Sequence, residues 1–158
     1  MDSVGWWYRN ADGTYPMNTS MVIDGHTYRF DGRGYMRTGW VMDGGAWYYH
    51  DASGAQLTGW QMVRGAWYYL DPSGAMHTGW LQMGSHWYLM SDSGAMTIGW
   101  KPLGSTWYYF GASGQMATGW QQIGGAWYYF GTGGDMYTGG HWIGWRWYTF
   151  GSDGRWLG

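Results

Sequence analysis

Tryptophan recurs in this 158-residue chain in two interleaved series. Trp40, Trp60, Trp80, Trp100 and Trp120 each follow a glycine and stand 20 residues apart. Trp47, Trp67, Trp87, Trp107, Trp127 and Trp147 keep the same period seven residues later, and at 47, 67, 107 and 127 they open a Trp-Tyr-Tyr triplet. Electron-rich rings at such fixed places, with no acid beside them, suit the capture of a quaternary ammonium. That group has no N–H to donate and is held by the negative faces of several rings, at about 0.5–2 kcal/mol per contact. Methionine at 36, 76, 96, 116 and 136, with Leu57 in its place once, adds a soft, adaptable wall. The plainer reading is that the rings only pack. Against that stands the choice of residue, since a core is built more simply from Leu, Ile, Val and Phe, which carry no polar atoms.

Other chemistry is poorly supplied. The five histidines (26, 50, 77, 86, 141) share no metal-ligand spacing, and the ten acids are all Asp, placed mostly in turn sequences where their side chains cap the backbone. No phosphate loop, nucleophile elbow or catalytic triad order is present. No catalytic residue, metal site or cofactor is therefore expected, and the chain reads as a non-enzyme. A net charge of −2 and a pI near 6.1 give no electrostatic footprint for nucleic acid. No apolar run approaches a membrane span, so no membrane insertion is expected, and residues 1–30 show no signal-peptide pattern.

The elements that must position the rings follow from the same period. With 31 Gly, 16 Trp, 15 Tyr, one lysine (Lys101) and no Glu, the chain lacks the residues that cover exposed helix faces and is rich in those of strands and turns. In residues 40–59 a short strand around 39–42 meets the turn signal Asp43-Gly44-Gly45, and Ala46-Trp47-Tyr48-Tyr49-His50 returns as a second strand. Asp51-Ala52-Ser53-Gly54 then turns the chain toward the next unit. A lone hairpin is marginal in water, so units of this size must stack. The expected fold is all-β: a β-solenoid of stacked 20-residue hairpins, forming one module over residues 1–158. It divides into irregular hairpins at 5–39, regular repeats at 40–139 and a capping repeat at 140–158. Gly5-Trp6-Trp7-Tyr8-Arg9 aligns with Gly45-Ala46-Trp47-Tyr48-Tyr49, and Gly140 replaces tryptophan near the far end. There Trp142, Trp145, Trp147 and Trp156 offer apolar rings through which two copies could form a homodimer.

The strings TGWQMVRGAWYYLDPSGAMHTGW (58–80) and ATGWQQIGGAWYYFGTGGDMYTG (117–139) resemble the choline-binding repeats of bacterial and phage wall-binding proteins, and the likeness runs over roughly 5–158. The resemblance implies a left-handed superhelix with choline held between consecutive hairpins. Its cage takes the Gly-Trp ring, the first ring of the Trp-Tyr-Tyr strand, and the third ring of that triplet in the next unit. By position this gives Trp40, Trp47 and Tyr69; Trp80, Trp87 and Tyr109; and Trp100, Trp107 and Tyr129, with Met76 and Met116 as cage walls. The pairs Trp60/Trp67 and Trp120/Trp127 would take Leu89 and Thr149 as third members, so those sites are expected to be weak, absent or completed by another ring. No site is expected at 20–39, which has no tryptophan pair. The implied function is a non-catalytic module, extracellular or on the bacterial cell surface. Its expected partner is choline or phosphocholine on teichoic-acid-like polymers. A glucan-binding repeat module and a purely structural or oligomerising solenoid are the alternatives.

Overall fold

Each repeat folds as one antiparallel hairpin. In this computed structural model, which describes residues 5–158, the strands pair as β1 (Thr19–Ile23) with β2 (His26–Phe30), β3 (Gly39–Asp43) with β4 (Ala46–His50), and β5 (Gly59–Val63) with β6 (Ala66–Leu70). The series continues with β7 (Gly79–Met83) and β8 (His86–Met90), β9 (Gly99–Leu103) and β10 (Thr106–Phe110), β11 (Gly119–Ile123) and β12 (Ala126–Phe130), and β13 (Gly139–Ile143) and β14 (Arg146–Phe150). Every sheet described is two-stranded, so neighbouring hairpins are joined by side chains and loops rather than by a shared sheet.

The hairpin turns explain part of the glycine content. At 44–45 and 124–125 both central residues have positive φ, as type I′ requires, and Asp24-Gly25 and Arg64-Gly65 adopt the same form. At Gly84-Ser85, Gly104-Ser105 and Gly144-Trp145 only the first residue does, as in type II′. The connecting turns that begin with Asp31, Asp51 and Asp71 carry the expected caps. Asp51 Oδ1 accepts from the Ser53 amide (2.8 Å), the Ser53 hydroxyl (2.6 Å) and the Ala55 amide (3.1 Å). Those bonds, the Ser53 hydroxyl first, hold the Asp51 carboxyl below the usual carboxylate range.

Two compact units divide the chain, Met1–His77 and Thr78–Gly158. In the second, the last residue of each returning strand forms a buried column: Met90, Phe110, Phe130 and Phe150. Each such side chain contributes about 1.5–3 kcal/mol by leaving water. In the first unit the column is Phe30, His50 and Leu70, with a histidine only 1% exposed in the middle. Within each unit, the loop after a hairpin laces it to the one before. Met116 bridges Phe110 of its own unit while its N–H donates to the carbonyl of Trp87 (2.8 Å), and Met136 does the same with Phe130 and Trp107 (2.9 Å). In the first unit Gln56, not Leu57, holds the methionine place, bridging His50 and donating its N–H to Thr27.

The N-terminal register differs by one residue from the sequence alignment. Where Met76 donates to Trp47 and Ala75 bridges Tyr48, Met36 donates to Trp6 and Tyr35 bridges Trp7. Trp6, rather than Trp7, therefore occupies the place of Trp47. Trp7 also packs edge-on against Tyr15, with ring centroids 5.4 Å apart.

Candidate functional site

Strand alternation decides which rings meet. In the hairpin of β9 and β10, Trp100 stands opposite Tyr109 and Trp107 opposite Pro102, so Trp100, Trp107 and Tyr109 share one face while Tyr108 lies on the other. The tryptophan pair meets at a right-angled 79° with centroids 6.4 Å apart. The next hairpin turns its opposite face toward this pair. Tyr128 lies 4.9 Å from Trp100 and Phe130 5.8 Å from it.

A half-open cavity of about 380 Å³ results, lined by Trp100, Trp107, Tyr128, Met136, Ser152 and Asp153. One repeat earlier, a cavity of about 460 Å³ is lined by Trp80, Trp87, Tyr108, Met116, Thr132 and Gly133. Trp80 and Trp87 meet at 6.1 Å, and Tyr108 closes on Trp80 at 5.5 Å. Three successive repeats thus build each cavity: one gives the tryptophan pair, the next a tyrosine and a methionine, and the third a turn. The turn must be glycine at its close point. Gly134 and Gly154 have φ of +83° and +81°, and a Cβ there would collide with the sulfurs of Met116 and Met136.

The expected tryptophan pairs and Met116 are brought together, but the third ring is displaced by one position. Tyr109 and Tyr129 pack instead on Trp100 (5.0 Å) and Trp120 (5.3 Å) of their own hairpins, and neither lines these two cavities. Tyr69 likewise packs on Trp60 at 5.3 Å, while Trp40 has Tyr49 of its own hairpin and Tyr68 of the next, each at 4.9 Å. A residue beside Trp in the triplet points to the opposite face, so only the middle tyrosine can reach the preceding pair. Met76 donates its N–H to Trp47, as Met116 does to Trp87.

The same shift alters the two doubtful sites. Leu89 is the cross-strand partner of Trp80. Trp60 and Trp67 meet at 6.4 Å in their own hairpin. For Trp120 and Trp127, also 6.4 Å apart, Thr149 is not the third member. Tyr148 stands 4.9 Å from Trp120, and Trp156 takes the methionine place at 5.7 Å, with its N–H on the Trp127 carbonyl. Tyr148 and Trp156 thus both pack on Trp120, although Trp156 stays 37% exposed. Trp142, Trp145 and Trp147 remain exposed, with Trp147 leaning into the space above Gly140.

The hairpin of β1 and β2 carries a substitute that the sequence did not disclose. Ser20 occupies the tryptophan place opposite Arg29. Into that space Arg29 extends, its guanidinium 3.6 Å from the centroid of the Tyr48 ring. Its Nε donates to Asp43 Oδ2 at 2.9 Å, and its Nη1 reaches His50 Nε2 at 3.2 Å and the Gln56 side-chain oxygen. His50 Nδ1 lies 2.8 Å from the Gly54 carbonyl. A carbonyl only accepts and a guanidinium only donates, which fixes His50 as the neutral Nδ1–H tautomer. Burial, with the Arg29 charge beside it, pushes the His50 pKa below its ordinary 6.5, against a raising effect of the Gly54 hydrogen bond.

The model of the choline-binding repeat family matches residues 19–58, 57–98 and 97–140. The chain belongs to the choline-binding repeat family. No curated protein sequence matches it. Among solved structures, CbpJ of Streptococcus pneumoniae TIGR4 is 38% identical with a TM-score of 0.89, over 96% of this chain and 56% of that one. Choline binding protein F of Streptococcus pneumoniae, solved with a peptidoglycan analogue, is 40% identical with a TM-score of 0.84, over 87% of this chain and 51% of that one. The multimodular pneumococcal cell wall endolysin from phage Cp-1, complexed with choline, is 41% identical with a TM-score of 0.55, over 73% of this chain and 35% of that one. The chain thus spans about half or less of the length of these relatives. As a member of this family it is a choline-binding module, built of repeating hairpins with clustered aromatic rings.

Proposed function

We propose that this module anchors its bearer to choline on phosphocholine-decorated polymers of a bacterial wall or surface, extracellularly and without catalysis. The trimethylammonium group sits between hairpins, in the cages of Trp80, Trp87, Tyr108 and Met116 and of Trp100, Trp107, Tyr128 and Met136. Trp40, Trp47, Tyr68 and Met76 form an equivalent set, and Trp120, Trp127, Tyr148 and Trp156 another. The observation that carries this reading is the pair of ring-lined cavities, each with a tryptophan pair at nearly right angles and a tyrosine from the next hairpin. Such a box offers ring faces to a cation from several sides, as a group with no N–H to donate requires. Several weak cages on one polymer-binding chain would give avidity without a tight single site.

The test compares choline with 3,3-dimethylbutanol, its uncharged isostere, by intrinsic tryptophan fluorescence. Choline should change the emission saturably in the millimolar range and the isostere should not. An equal response to both, or none to choline, would overturn the reading.

A further inference from the structure

The two cages of the second unit share their rings and differ in the charges on their rims. At the Trp100 cage, Asp153 lines the cavity, and Arg155 lies against it with Nε 3.4 Å from Asp153 Oδ2. Arg155 is also drawn to the Tyr128 hydroxyl, which with Asp153 holds its guanidinium firmly protonated. At the Trp80 cage, one 20-residue period earlier, Gly133 replaces Asp153 and Asp135 replaces Arg155. The Asp135 carboxylate lies back over Gly131 and Gly133, the turn that lines that cavity. One rim therefore carries a carboxylate and a guanidinium side by side, and the other a carboxylate alone.

A choline ester of phosphate is a zwitterion whose two charges are a few bonds apart. An aromatic cage grips only the ammonium end. A guanidinium at the rim adds N–H donors matched to phosphate oxygens, and a lone carboxylate there repels them. Resting on the cage reading above, we infer that the Trp100 cage recognises the phosphodiester of choline as a zwitterion. The ammonium lies among the rings beside Asp153 and a phosphate oxygen on Arg155, whereas the Trp80 cage takes the ammonium alone. The salt bridge engages Arg155 through Nε, and the guanidinium carries further N–H donors on its terminal nitrogens.

The experiment uses the whole chain with ¹⁵N-labelled indoles, the four cage signals being assigned by single Trp→Phe variants. Choline and glycerophosphocholine are titrated separately at low ionic strength. The preference for glycerophosphocholine over choline should be about threefold greater at Trp100 and Trp107 than at Trp80 and Trp87, the size of one exposed ion pair. It should fade in 0.5 M salt, since exposed charges are screened. Arg155→Gln should bring the ratio at the Trp100 cage to that of its neighbour, Arg155→Lys should retain most of it, and Asp135→Arg should create it at the Trp80 cage. Choline binding to both cages with equal ratios, or a ratio unmoved by Arg155→Gln, overturns this inference alone. No shift of any of the four indoles by choline overturns the cage reading and the inference with it.

Discussion

Tyr108 and Tyr109 are neighbours of the same type with different work. Tyr108 faces back to Trp80 at 5.5 Å and lines the cavity, while Tyr109 faces Trp100 at 5.0 Å within its own hairpin. Removing Tyr108 takes one wall from the Trp80 cage and leaves that of Trp100 whole. Tyr108→Ala should therefore weaken choline binding at Trp80 and Trp87 by about fivefold to tenfold, one cation–π contact of roughly 1 kcal/mol. Tyr109→Ala should act mainly on stability and leave the Trp80 cage nearer to its original affinity. Site-resolved titration of the indole signals distinguishes the two, and equal losses at Trp80 would remove the middle tyrosine from the site. The triplet is visible in the sequence, where its third ring is the one expected beside the preceding tryptophan pair, and the structure sets the middle one there. The alternation that corrects it is a property of any strand, so the signal was available in the parity of the positions.

At the scale of the element, one interface replaces tryptophan with a guanidinium. Between the hairpin of β1 and β2 and that of β3 and β4, Arg29 is held by Asp43, His50, Gln56 and the face of Tyr48. His50 must stay neutral to accept from Arg29. Its pKa is lowered on folding, so between that lowered value and 6.5 the unfolded chain binds more protons than the folded one. The stability tied to His50 is thus present above pH 6.5, falls as pH drops through 6.5, and levels off below the folded-state pKa. Chemical denaturation between pH 7.5 and 5 should show this loss, and His50→Leu, which puts the residue of Leu70 in the same column, should flatten it. A slope unchanged in that variant would place the titration elsewhere. Sequence reasoning could see that Ser20 and Thr27 break the tryptophan pair. It could not see what fills the gap, because Arg29, Asp43, His50 and Gln56 come from two hairpins and a loop.

For the whole molecule, stability and ligand are linked. Each hairpin alone is marginal, and the Trp80 and Trp100 cavities are each lined by three successive repeats, so a ligand that binds the folded stack stabilises the joints between hairpins. Melting temperature should rise with choline concentration, steeply through the dissociation range and then roughly with its logarithm. The uncharged isostere should leave it unchanged, and a choline-independent melting temperature would sever the link. The sequence by itself determined the all-β class, the strand bounds of the 40–59 unit to within a residue and the tryptophan pairs. These depend on local turn chemistry and on a period repeated without drift, from Gly44-Gly45 to Gly124-Gly125. Tertiary structure alone decided that Tyr128 rather than Tyr129 closes on Trp100, that Trp156 packs against Trp120, and that Arg29 fills the first interface. Those choices rest on which face of one hairpin meets which face of the next. A period of 20 residues fixes that two faces will meet, but not which side chains of the stacked repeats share the space between them.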